Sequence, residues 1–374
     1  MSNTSDPSVP TRSTPRIAVV VSGWPRLSES FALNELLAMR RAGMLAAVFA
    51  TKHGESTHRH PDVEALDDLV HQLGDVPAEE QAAEIVGVLG GLTLASNHID
   101  GVHGYFAHRP AEVARAAADM LDVPFGFSVH AKDPRKVEPH VLADRARAAR
   151  CVVACNSEVA GQLRAVGADP ILAPHGVDLE SFAPQPRMPD GRVEILAVGR
   201  LVAKKGFDVL IDAVRLLDFN WRLRIVGDGP LLHDLQQAAH HSAKLHRIEF
   251  LGSRTHAQLP ALYRSSDIVA VPSVIDVDGD RDGLPNVVLE AMACGLAVVG
   301  SDVAAIPTAI EHHETGLLVD PGDVFGLANA INALAKDPDL RAALGAHARA
   351  RAEARFGLAT CTDHFLSIMA AAYG

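Results

Sequence analysis

The chain has 374 residues, of which 48% are hydrophobic and 21% are charged, and this length suits two domains of about 150–200 residues each. The composition excludes a chain that is disordered throughout, a collagen-like repeat and a small disulfide-stabilised scaffold. Because non-specific binding to nucleic acid requires a basic surface, the formal charge of -12 predicts no nucleic-acid partner.

The amino terminus, residues 1–15, is rich in Ser, Thr and Pro and is predicted to be a disordered tail. The apolar run at 17–21 is too short for the core of a signal peptide or for a membrane span, so a cytoplasmic location is expected. No cysteine has a His or Cys neighbour at the sequence spacing of a zinc site, which predicts reduced and buried thiols. The cysteines are Cys151, Cys155, Cys294 and Cys361.

Short apolar runs alternate with longer amphipathic ones, which is the pattern of βαβ units and of a parallel sheet. In the first half, strands are predicted at 17–21, 45–50, 102–106, 125–129, 151–154 and 170–173. Helices are predicted between these strands, for example at 29–42, 109–121 and 137–149. In the second half, strands are predicted at 194–199, 222–226, 248–251, 268–271, 297–300 and 316–319. The helices between them are predicted at 206–217, 230–243, 256–265, 286–294 and 323–335.

A Pro-rich segment divides the two halves. Residues 182–191 contain three prolines and a glycine, a composition typical of a linker. We therefore predict an α/β protein with two doubly wound, Rossmann-like domains, residues 16–181 and 192–355, that face each other across a cleft. The sequence predicts a terminal helix at residues 356–374. This helix either packs on the second domain or crosses back to the first domain.

The segment from Asp282 to Glu290 leads into an apolar helix. Gly283 permits an unusual loop conformation, and Pro285 suits the first helical turn. The backbone amides of that turn would be free to bind an anion. Glu290 is the one charged residue between 287 and 299, so it needs a partner, which is either a neighbouring loop that it caps or the hydroxyl groups of a sugar.

Calcium is a competing interpretation of the same segment. Asp278, Asp280 and Asp282 are spaced as at the start of an EF-hand loop, which needs a Glu ligand at its twelfth position. That position is Leu289, and Glu290 lies one residue beyond it. Calcium is therefore not favoured, and no metal site is predicted.

A second loop carries two cations, Arg200 and Lys205, after the first strand of the second half. At the carboxyl end of a strand these cations are placed to bind a diphosphate, although a solvated turn is the alternative. The loop is not a Walker A loop, because no Gly-Lys-Ser/Thr closes it. The turn from Gly227 to Gly229 lacks the third small residue of the dinucleotide fingerprint, which disfavours a nicotinamide-dependent dehydrogenase.

His130, at the carboxyl end of a first-half strand, is the histidine best placed to face the cleft, although a lone His is more often structural. In chain order, the motifs together resemble the retaining glycosyltransferases of family 4, which have the GT-B fold. The resemblance runs from about residue 16 to the end, and it is strongest to the branch that builds exopolysaccharides such as colanic acid. It is carried by Ser-Glu-Ser-Phe at 28–31, His-Ala-Lys-Asp at 130–133, His-Gly-Val-Asp at 175–178, Val-Gly-Arg-Leu to Lys-Gly at 198–206, Val-Gly-Asp-Gly-Pro at 226–230 and the segment 282–290.

The resemblance implies roles for individual residues. Arg200 and Lys205 would bind the diphosphate of the donor, and Glu290, the second acid of the family's Glu-x7-Glu motif, would hold the ribose. Asp282 replaces the first Glu, one methylene shorter, and with His130 it would contact the donor sugar. The implied catalytic set is Arg200, Lys205, His130 and Asp282. Other implied donor-binding residues are Gly23, Gly199, Gly227, Gly252, Arg254, Gly283, Leu284, Pro285 and Asn286. Glu29 and Asp133 are acceptor-side candidates.

The implied reaction is the transfer of a hexose-type sugar, with retention, from a nucleoside-diphosphate sugar to a hydroxyl acceptor, which is a glycan, a lipid-linked compound or a small natural product. Arg200, Lys205 and a helix amino terminus would stabilise the leaving diphosphate, so we expect no metal or other cofactor. No carboxylate nucleophile emerges, which favours a same-face mechanism, and closure of the domains near 180–192 would exclude water.

Two alternatives stay open. A nucleotide-sugar 2-epimerase on the same scaffold would convert the donor without any acceptor. A non-enzymatic, two-lobed sugar-binding protein leaves the Arg200 and Lys205 pair unexplained. A glycosidase would need carboxylates on both sides of the scissile bond, whereas Asp282 and Glu290 match donor-binding positions.

The acceptor is not identified by the sequence, because residues 51–75 suggest no specific ligand. A basic cluster near the end of the first half offers a contact for an anionic membrane surface or a phosphorylated acceptor. Its members are Lys132, Arg135, Lys136, Arg145, Arg147 and Arg150. Because Asp133, Glu138 and Asp144 interrupt the cluster, a solvated helix face is favoured over peripheral membrane contact. The oligomeric state is not predicted.

Overall fold

The computed structural model describes residues 14–26, 30–54, 61–93, 98–130, 133–185, 191–240 and 247–374. Most of the expected tail, residues 186–190 of the expected linker, the acceptor-side candidate Glu29 and the basic residue Lys132 lie outside the described residues.

Parallel strands of the first half form one seven-stranded sheet. The strands are β1 (Ile17–Trp24), β2 (Leu45–His53), β3 (Val70–Gln72), β4 (Gly101–Tyr105), β5 (Phe125–Val129), β6 (Cys151–Ala154) and β7 (Ile171–Leu172). Their order across the sheet is β3-β2-β1-β4-β5-β6-β7. The helices are α1 (Ser30–Arg41), α2 (Ala78–Thr93), α3 (Arg109–Leu121), α4 (Pro139–Ala148) and α5 (Ser157–Ala165).

The second half forms a six-stranded parallel sheet. The strands are β8 (Val193–Val198), β9 (Trp221–Val226), β10 (Ile248–Gly252), β11 (Ile268–Val271), β12 (Ala297–Ser301) and β13 (Leu317–Val319), in the order β10-β9-β8-β11-β12-β13. The helices are α6 (Phe207–Arg215), α7 (Leu232–His240), α8 (Leu259–Arg264), α9 (Asn286–Ala293), α10 (Ile306–Ala309), α11 (Val324–Lys336), α12 (Pro338–Arg355) and α13 (Leu358–Tyr373). Within the described ranges, no helix combines the length and the apolarity needed to cross a membrane.

Both sheets are doubly wound, which confirms the predicted α/β class. Their central strands are mostly apolar because helices cover both faces of each sheet, and residues 17–21 of β1 are almost completely buried. The strand order reverses between β1 and β4 in the first sheet and between β8 and β11 in the second. Ligand-binding crevices form outside the carboxyl ends of strands at such points, and these ends carry the predicted motifs.

Some elements differ from the predictions for clear physical reasons. Strand β3 was not predicted, because this three-residue edge strand is only partly buried and shows no clear alternation. Helix α12 was also not predicted, since its buried face consists of small residues around Leu344. Pro285 does not lie in the first turn of α9: it is the N-cap, with φ -69° and ψ 134°, and the helix begins at Asn286.

The terminal helix α13 packs against the first sheet and against α1. The hydroxyl of its buried Tyr373 lies 2.9 Å from Nδ1 of His103 on β4. A Cβ atom on Gly101 would lie 2.1 Å from the Tyr373 ring, so β4 can begin there only with glycine. Of the two positions left open by the sequence, the structure has the helix on the first domain.

Candidate active site

Three loops lie side by side at the carboxyl ends of β8, β9 and β10. The Gly199 amide donates to the carbonyl of Val226 at 2.9 Å, and the Gly227 amide donates to the carbonyl of Gly252 at 3.0 Å. Gly227 has a φ of 142°, and a Cβ atom there would lie 1.9 Å from the Gly199 carbonyl oxygen. Glycine is therefore required for this close approach. The predicted residues Gly199, Gly227 and Gly252 thus meet at one edge of the second sheet.

The loop after β8 carries three cations rather than two. The side chain of Arg200 is exposed, and within the described part of the chain it makes no hydrogen bond or ion pair. Lys205 Nζ lies 2.8 Å from Oδ2 of Asp282. Lys204, which sequence reasoning missed, has its Nζ 3.4 Å from Asp280 Oδ2 and 3.6 Å from Asp282 Oδ1. The loop therefore concentrates positive charge beside the Asp-rich segment 276–282.

Asp282 is buried at the junction of these loops. Its Oδ2 accepts a hydrogen bond of 3.1 Å from Ser273 Oγ and also faces Lys205. Gly206, just after the lysines, has a φ of 62°, and a Cβ atom there would lie 2.0 Å from the Pro272 carbonyl oxygen. The lysine loop thus packs directly on the loop after β11, which fixes the distance between the cations and the carboxylate.

Helix α9 begins beside these loops and holds Glu290 in its interior turn. Gly283 and Leu284 are partly exposed, and Asn286 at the first helical position is exposed. Glu290 Oε2 accepts a hydrogen bond of 2.7 Å from the Tyr263 hydroxyl, and its Oε1 lies 3.9 Å from His256 Nε2.

Burial raises the pKa of Glu290 to about 7, and the Tyr263 hydrogen bond opposes that rise. Its partners are side chains, and none of its contacts among the described residues is with a loop amide. This arrangement does not support the alternative in which Glu290 only caps a loop.

Arg254 lies at the exposed end of the third loop, after β10. Its guanidinium donates to the carbonyl of Ser253 at 3.1 Å, and the preceding Gly252 has a φ of 67°. Gly23 occupies the corresponding end of β1, where a Cβ atom would lie 3.2 Å from the His53 carbonyl oxygen. Both residues therefore lie at carboxyl edges of the sheets, as the motifs predict.

His130 directly follows β5 in the first domain, and its side chain is buried. Its Nδ1 lies 3.1 Å from Nε2 of His175, and the ring of Phe31 stacks on His175 with a centroid distance of 4.1 Å. Burial, with a smaller effect of His175, holds the pKa of His130 well below its usual range. His130 Nε2 is buried and has no hydrogen-bond partner among the described residues.

Cys155 joins this histidine pair. Its sulfur and one ring nitrogen each of His130 and His175 all lie within 4.8 Å of one another. Two imidazoles and a thiolate are zinc ligands in many proteins, and three protein ligands leave one coordination position open. The expectation that Cys155 lacks histidine neighbours concerned spacing along the sequence, whereas the fold brings both histidines to it.

Two other carboxyl groups, those of Glu35 and Asp133, are buried and hydrogen-bonded in the first domain. The Tyr105 hydroxyl donates to Glu35 Oε2 at 2.5 Å, and burial raises the pKa of Glu35 to about 7. Asp133 accepts a hydrogen bond from the Ala107 amide and lies 3.8 Å from His108 Nε2. Burial raises the pKa of Asp133 to about 7 as well. Asp133 therefore holds the loop after β4, and direct contact with an acceptor stays a prediction.

The two domains meet at the Asp-rich segment. Nη2 of Arg281 lies 2.7 Å from Oε1 of Glu158, which is on α5 of the first domain. Arg135, also in the first domain, donates to the carbonyl of Gly279 at 2.9 Å. These two contacts therefore connect the Asp-rich segment 276–282 to the first domain, which carries His130.

Known proteins resemble this chain in sequence and in fold. Residues 179–351 match the family model of glycosyl transferases group 1. The chain contains a glycosyltransferase group 1 domain.

Two curated relatives match parts of the chain. The Escherichia coli K12 glycosyltransferase WcaL, named for colanic acid biosynthesis, is 32% identical over 201 residues, which are 52% of this chain and 50% of WcaL. A GDP-mannose-dependent α-(1-6)-phosphatidylinositol monomannoside mannosyltransferase of Mycobacterium tuberculosis is 34% identical over 191 residues, which are 47% of this chain and 49% of that protein.

The chain spans about half the length of these two relatives. Over the whole fold, Anabaena HepE, solved in complex with UDP, superposes with a TM-score of 0.80 at 20% identity, covering 95% of this chain and 100% of HepE. The predicted GT-B architecture is thereby confirmed. The resemblance to group 1 glycosyltransferases and to the exopolysaccharide branch is confirmed as well, and the glycosyltransferase domain includes the loops of Arg200, Lys205 and Asp282.

Proposed function

We propose that the protein is a retaining glycosyltransferase that transfers a hexose from a nucleoside-diphosphate sugar to a hydroxyl group of an acceptor. The observation that carries the proposal is the contact of the Arg200 and Lys205 loop with Asp282, just before the amino end of α9, the helix that also carries Glu290. Cations and helix amides suit the diphosphate, and a buried carboxyl suits vicinal hydroxyl groups.

The donor would lie along the carboxyl edge of the second sheet. Arg200 offers a planar fork that has no partner among the described residues, and Lys205 adds a mobile charge. Glu290, held by Tyr263 through Oε2, keeps Oε1 for the hydroxyl groups of the ribose. The turn at Gly227 and the strand end at Gly252 would flank the base.

The transferred sugar would lie between Asp282 and His130. Asp282 is one methylene shorter than the family's Glu, and Lys205 already neutralises it, so its role is to accept hydrogen bonds from sugar hydroxyls rather than to act as a nucleophile. His130 presents its buried Nε2, which has no protein partner in the described ranges and is available to a sugar hydroxyl.

The chemistry follows from this placement of charge. The bond between the anomeric carbon and the diphosphate oxygen breaks, and negative charge develops where Arg200, Lys205 and the α9 amides are directed. The acceptor oxygen then attacks the same face, and its proton passes to the leaving phosphate oxygen. Arg200 and Lys205 would perform the charge stabilisation for which other transferases use a divalent ion, so we propose that no metal is required.

A thermal-shift screen against uridine, guanosine, adenosine and thymidine diphosphate sugars tests this function, because a ligand of the native state raises the melting temperature. We expect one base to give the largest shift. NMR of the stabilising donor, with and without an acceptor, then separates transfer from epimerisation. If no nucleotide sugar shifts the melting temperature, or if the donor is epimerised without an acceptor, the proposal is wrong.

A further inference from the structure

A cavity of about 570 Å³ opens at the carboxyl edge of the first sheet, away from the donor loops of the second. It is formed by the ends of β1 and β2, the loop after β3 and the start of α3. Residues that line it include Thr51, Lys52, Asp75, Gln81, His108 and Arg109. The volume is in the range of sites that bind small molecules, and it exceeds what a single water-filled gap needs.

The floor of the cavity is rigid. Gln81 is buried, and its amide nitrogen donates to the carbonyls of Thr51 at 3.0 Å and Gly74 at 2.7 Å. Its amide oxygen accepts from Arg109 Nε at 3.1 Å. The guanidinium of Arg109 also donates to the carbonyl of Val76. Its position is therefore fixed before any ligand arrives.

The charge around the cavity is predominantly positive. Lys52 is exposed, and its ammonium has no hydrogen bond or ion pair among the residues described. The amino end of α3 also points positive charge into this region. Burial, together with the charges of Lys136, Lys52, Arg145 and Arg26, lowers the pKa of His108 to about 4. Asp75 is the acidic residue of the lining, and it can accept hydrogen bonds from hydroxyl groups.

The cavity adjoins the candidate active site. The ring of His108 stacks on Phe106 with a centroid distance of 5.6 Å, and Phe106 in turn lies 5.2 Å from the ring of His130. A molecule in the cavity could therefore present a hydroxyl group to a sugar held at His130.

We propose that this cavity binds the acceptor, and that the acceptor carries a phosphate or carboxylate group that Lys52 and Arg109 recognise. This inference rests on the proposed function, which requires an acceptor, and adds its chemical class. The guanidinium of Arg109, which Gln81 and Val76 hold in place, would donate directional hydrogen bonds to the oxygens of the anionic group. Lys52 would add the positive charge of a flexible side chain. Asp75 would orient the hydroxyl groups of the same molecule.

Three gluco-configured probes of similar size separate the sources of the anionic group: glucose, glucuronate and glucose 6-phosphate. Their affinities are measured by calorimetric titration, with the donor site filled by the nucleoside diphosphate that gives the largest thermal shift. We expect at least one of the two anionic probes to bind about tenfold or more tightly than glucose. The stronger of the two anionic probes indicates whether the natural acceptor carries phosphate or carboxylate.

Variants assign the preference to the cavity. Lys52→Met should remove most of it, Lys52→Arg should retain it, and Arg164→Met, which removes an exposed cation of α5, should leave it unchanged. Equal affinities for the three probes, failure of both anionic probes to bind, or a preference that survives Lys52→Met overturns the inference. The thermal shift that nucleotides cause in the wild-type protein tests the proposed function separately. If no nucleotide shifts the melting temperature, the proposed function is wrong. If a nucleotide does shift it but the three probes bind equally well, only the inference of an anionic acceptor is wrong.

Discussion

Lys205 and Asp282 form an ion pair, with Nζ of the lysine 2.8 Å from Oδ2 of the carboxylate. The lysine is the candidate ligand of the donor's diphosphate, and the aspartate is the candidate ligand of its sugar. Without a donor the two neutralise each other. A bound diphosphate must compete with Asp282 for the lysine. The sugar hydroxyls would then bind the Asp282 carboxylate, which the hydrogen bond from Ser273 still orients.

Replacing Asp282 should therefore affect binding and turnover in opposite directions. Asp282→Asn frees Lys205 and removes a negative charge near the diphosphate, so we expect the nucleoside diphosphate to bind several-fold more tightly. Transfer should fall by about ten- to a hundredfold, because the sugar loses a charged acceptor of its hydrogen bonds. Calorimetric titration and initial rates measure the two effects. Asp280→Asn, beside Lys204, is the matched control, and weaker binding of the diphosphate to Asp282→Asn would contradict the competition.

The ion pair between Arg281 and Glu158 connects the Asp-rich segment to the first domain. Glu158→Gln should raise the donor KM by about two- to tenfold, since the segment that carries Asp282 loses its anchor. In an Arg281→Met background the same substitution should have little further effect. The control is Glu138→Gln, an exposed acid of the same domain. Independent, additive effects of the two substitutions on KM would rule out the connection.

Buried Glu35 predicts a pH dependence of stability. Its pKa is raised from 4.5 to about 7, so the folded state keeps a proton that the unfolded chain releases above pH 4.5. The stabilisation is complete below pH 4.5 and is lost as the pH rises to 7, by up to about 3 kcal/mol. Glu35→Gln keeps an oxygen for the Tyr105 hydroxyl and cannot ionise.

Chemical denaturation at pH 5 and pH 7.5 measures this effect. Asp133 and Glu290 have raised pKa values as well and contribute equally to the wild type and the variant. The wild type should therefore lose more stability than Glu35→Gln over this interval, and exposed Glu80→Gln should behave like the wild type. Parallel losses in the wild type and in Glu35→Gln would show that Glu35 does not hold a proton in the folded state.

Metal removal tests the proposal that Arg200 and Lys205 stabilise the leaving diphosphate without a metal ion. Dialysis against EDTA should leave the transfer rate within about twofold of its starting value, because Arg200 and Lys205 supply the positive potential. Added Zn²⁺ should inhibit, since His130, His175 and Cys155 offer three ligands beside the sugar site, and Cys155→Ser should weaken the inhibition. A loss of activity in EDTA that Mg²⁺ or Mn²⁺ restores would contradict metal independence.

Local patterns made much of the fold predictable, whereas contacts between distant parts of the chain were not. Arg200 and Gly227 could be recognised because each follows an apolar run at a strand-to-loop turn. The pairing of Lys205 with Asp282 joins residues far apart in sequence, and no single-chain pattern encodes it. His175 stands in the His-Gly-Val-Asp motif, yet its contact with His130 depends on where β5 and the loop after β7 end.

The placement of α13 shows the same limit. Its sequence predicts a helix but not where the helix packs. That position depends on the contact of Tyr373 with His103 and on the space that Gly101 leaves for the Tyr373 ring, and these residues are far apart in the sequence. The cavity around Lys52 and Arg109 was missed for a related reason, because its lining comes from four separate segments that carry no common motif.

We propose above all that the loop of Arg200 and Lys205 binds the diphosphate of the donor. Calorimetric titration of the wild type with the nucleoside diphosphate and monophosphate of the preferred base tests it directly, beside Lys205→Met and the exposed α11 control Lys336→Met. We predict that the wild type and the control bind the diphosphate about tenfold or more tightly than the monophosphate, and that Lys205→Met loses most of this difference. Equal affinity of the wild type for the two nucleotides would contradict the account.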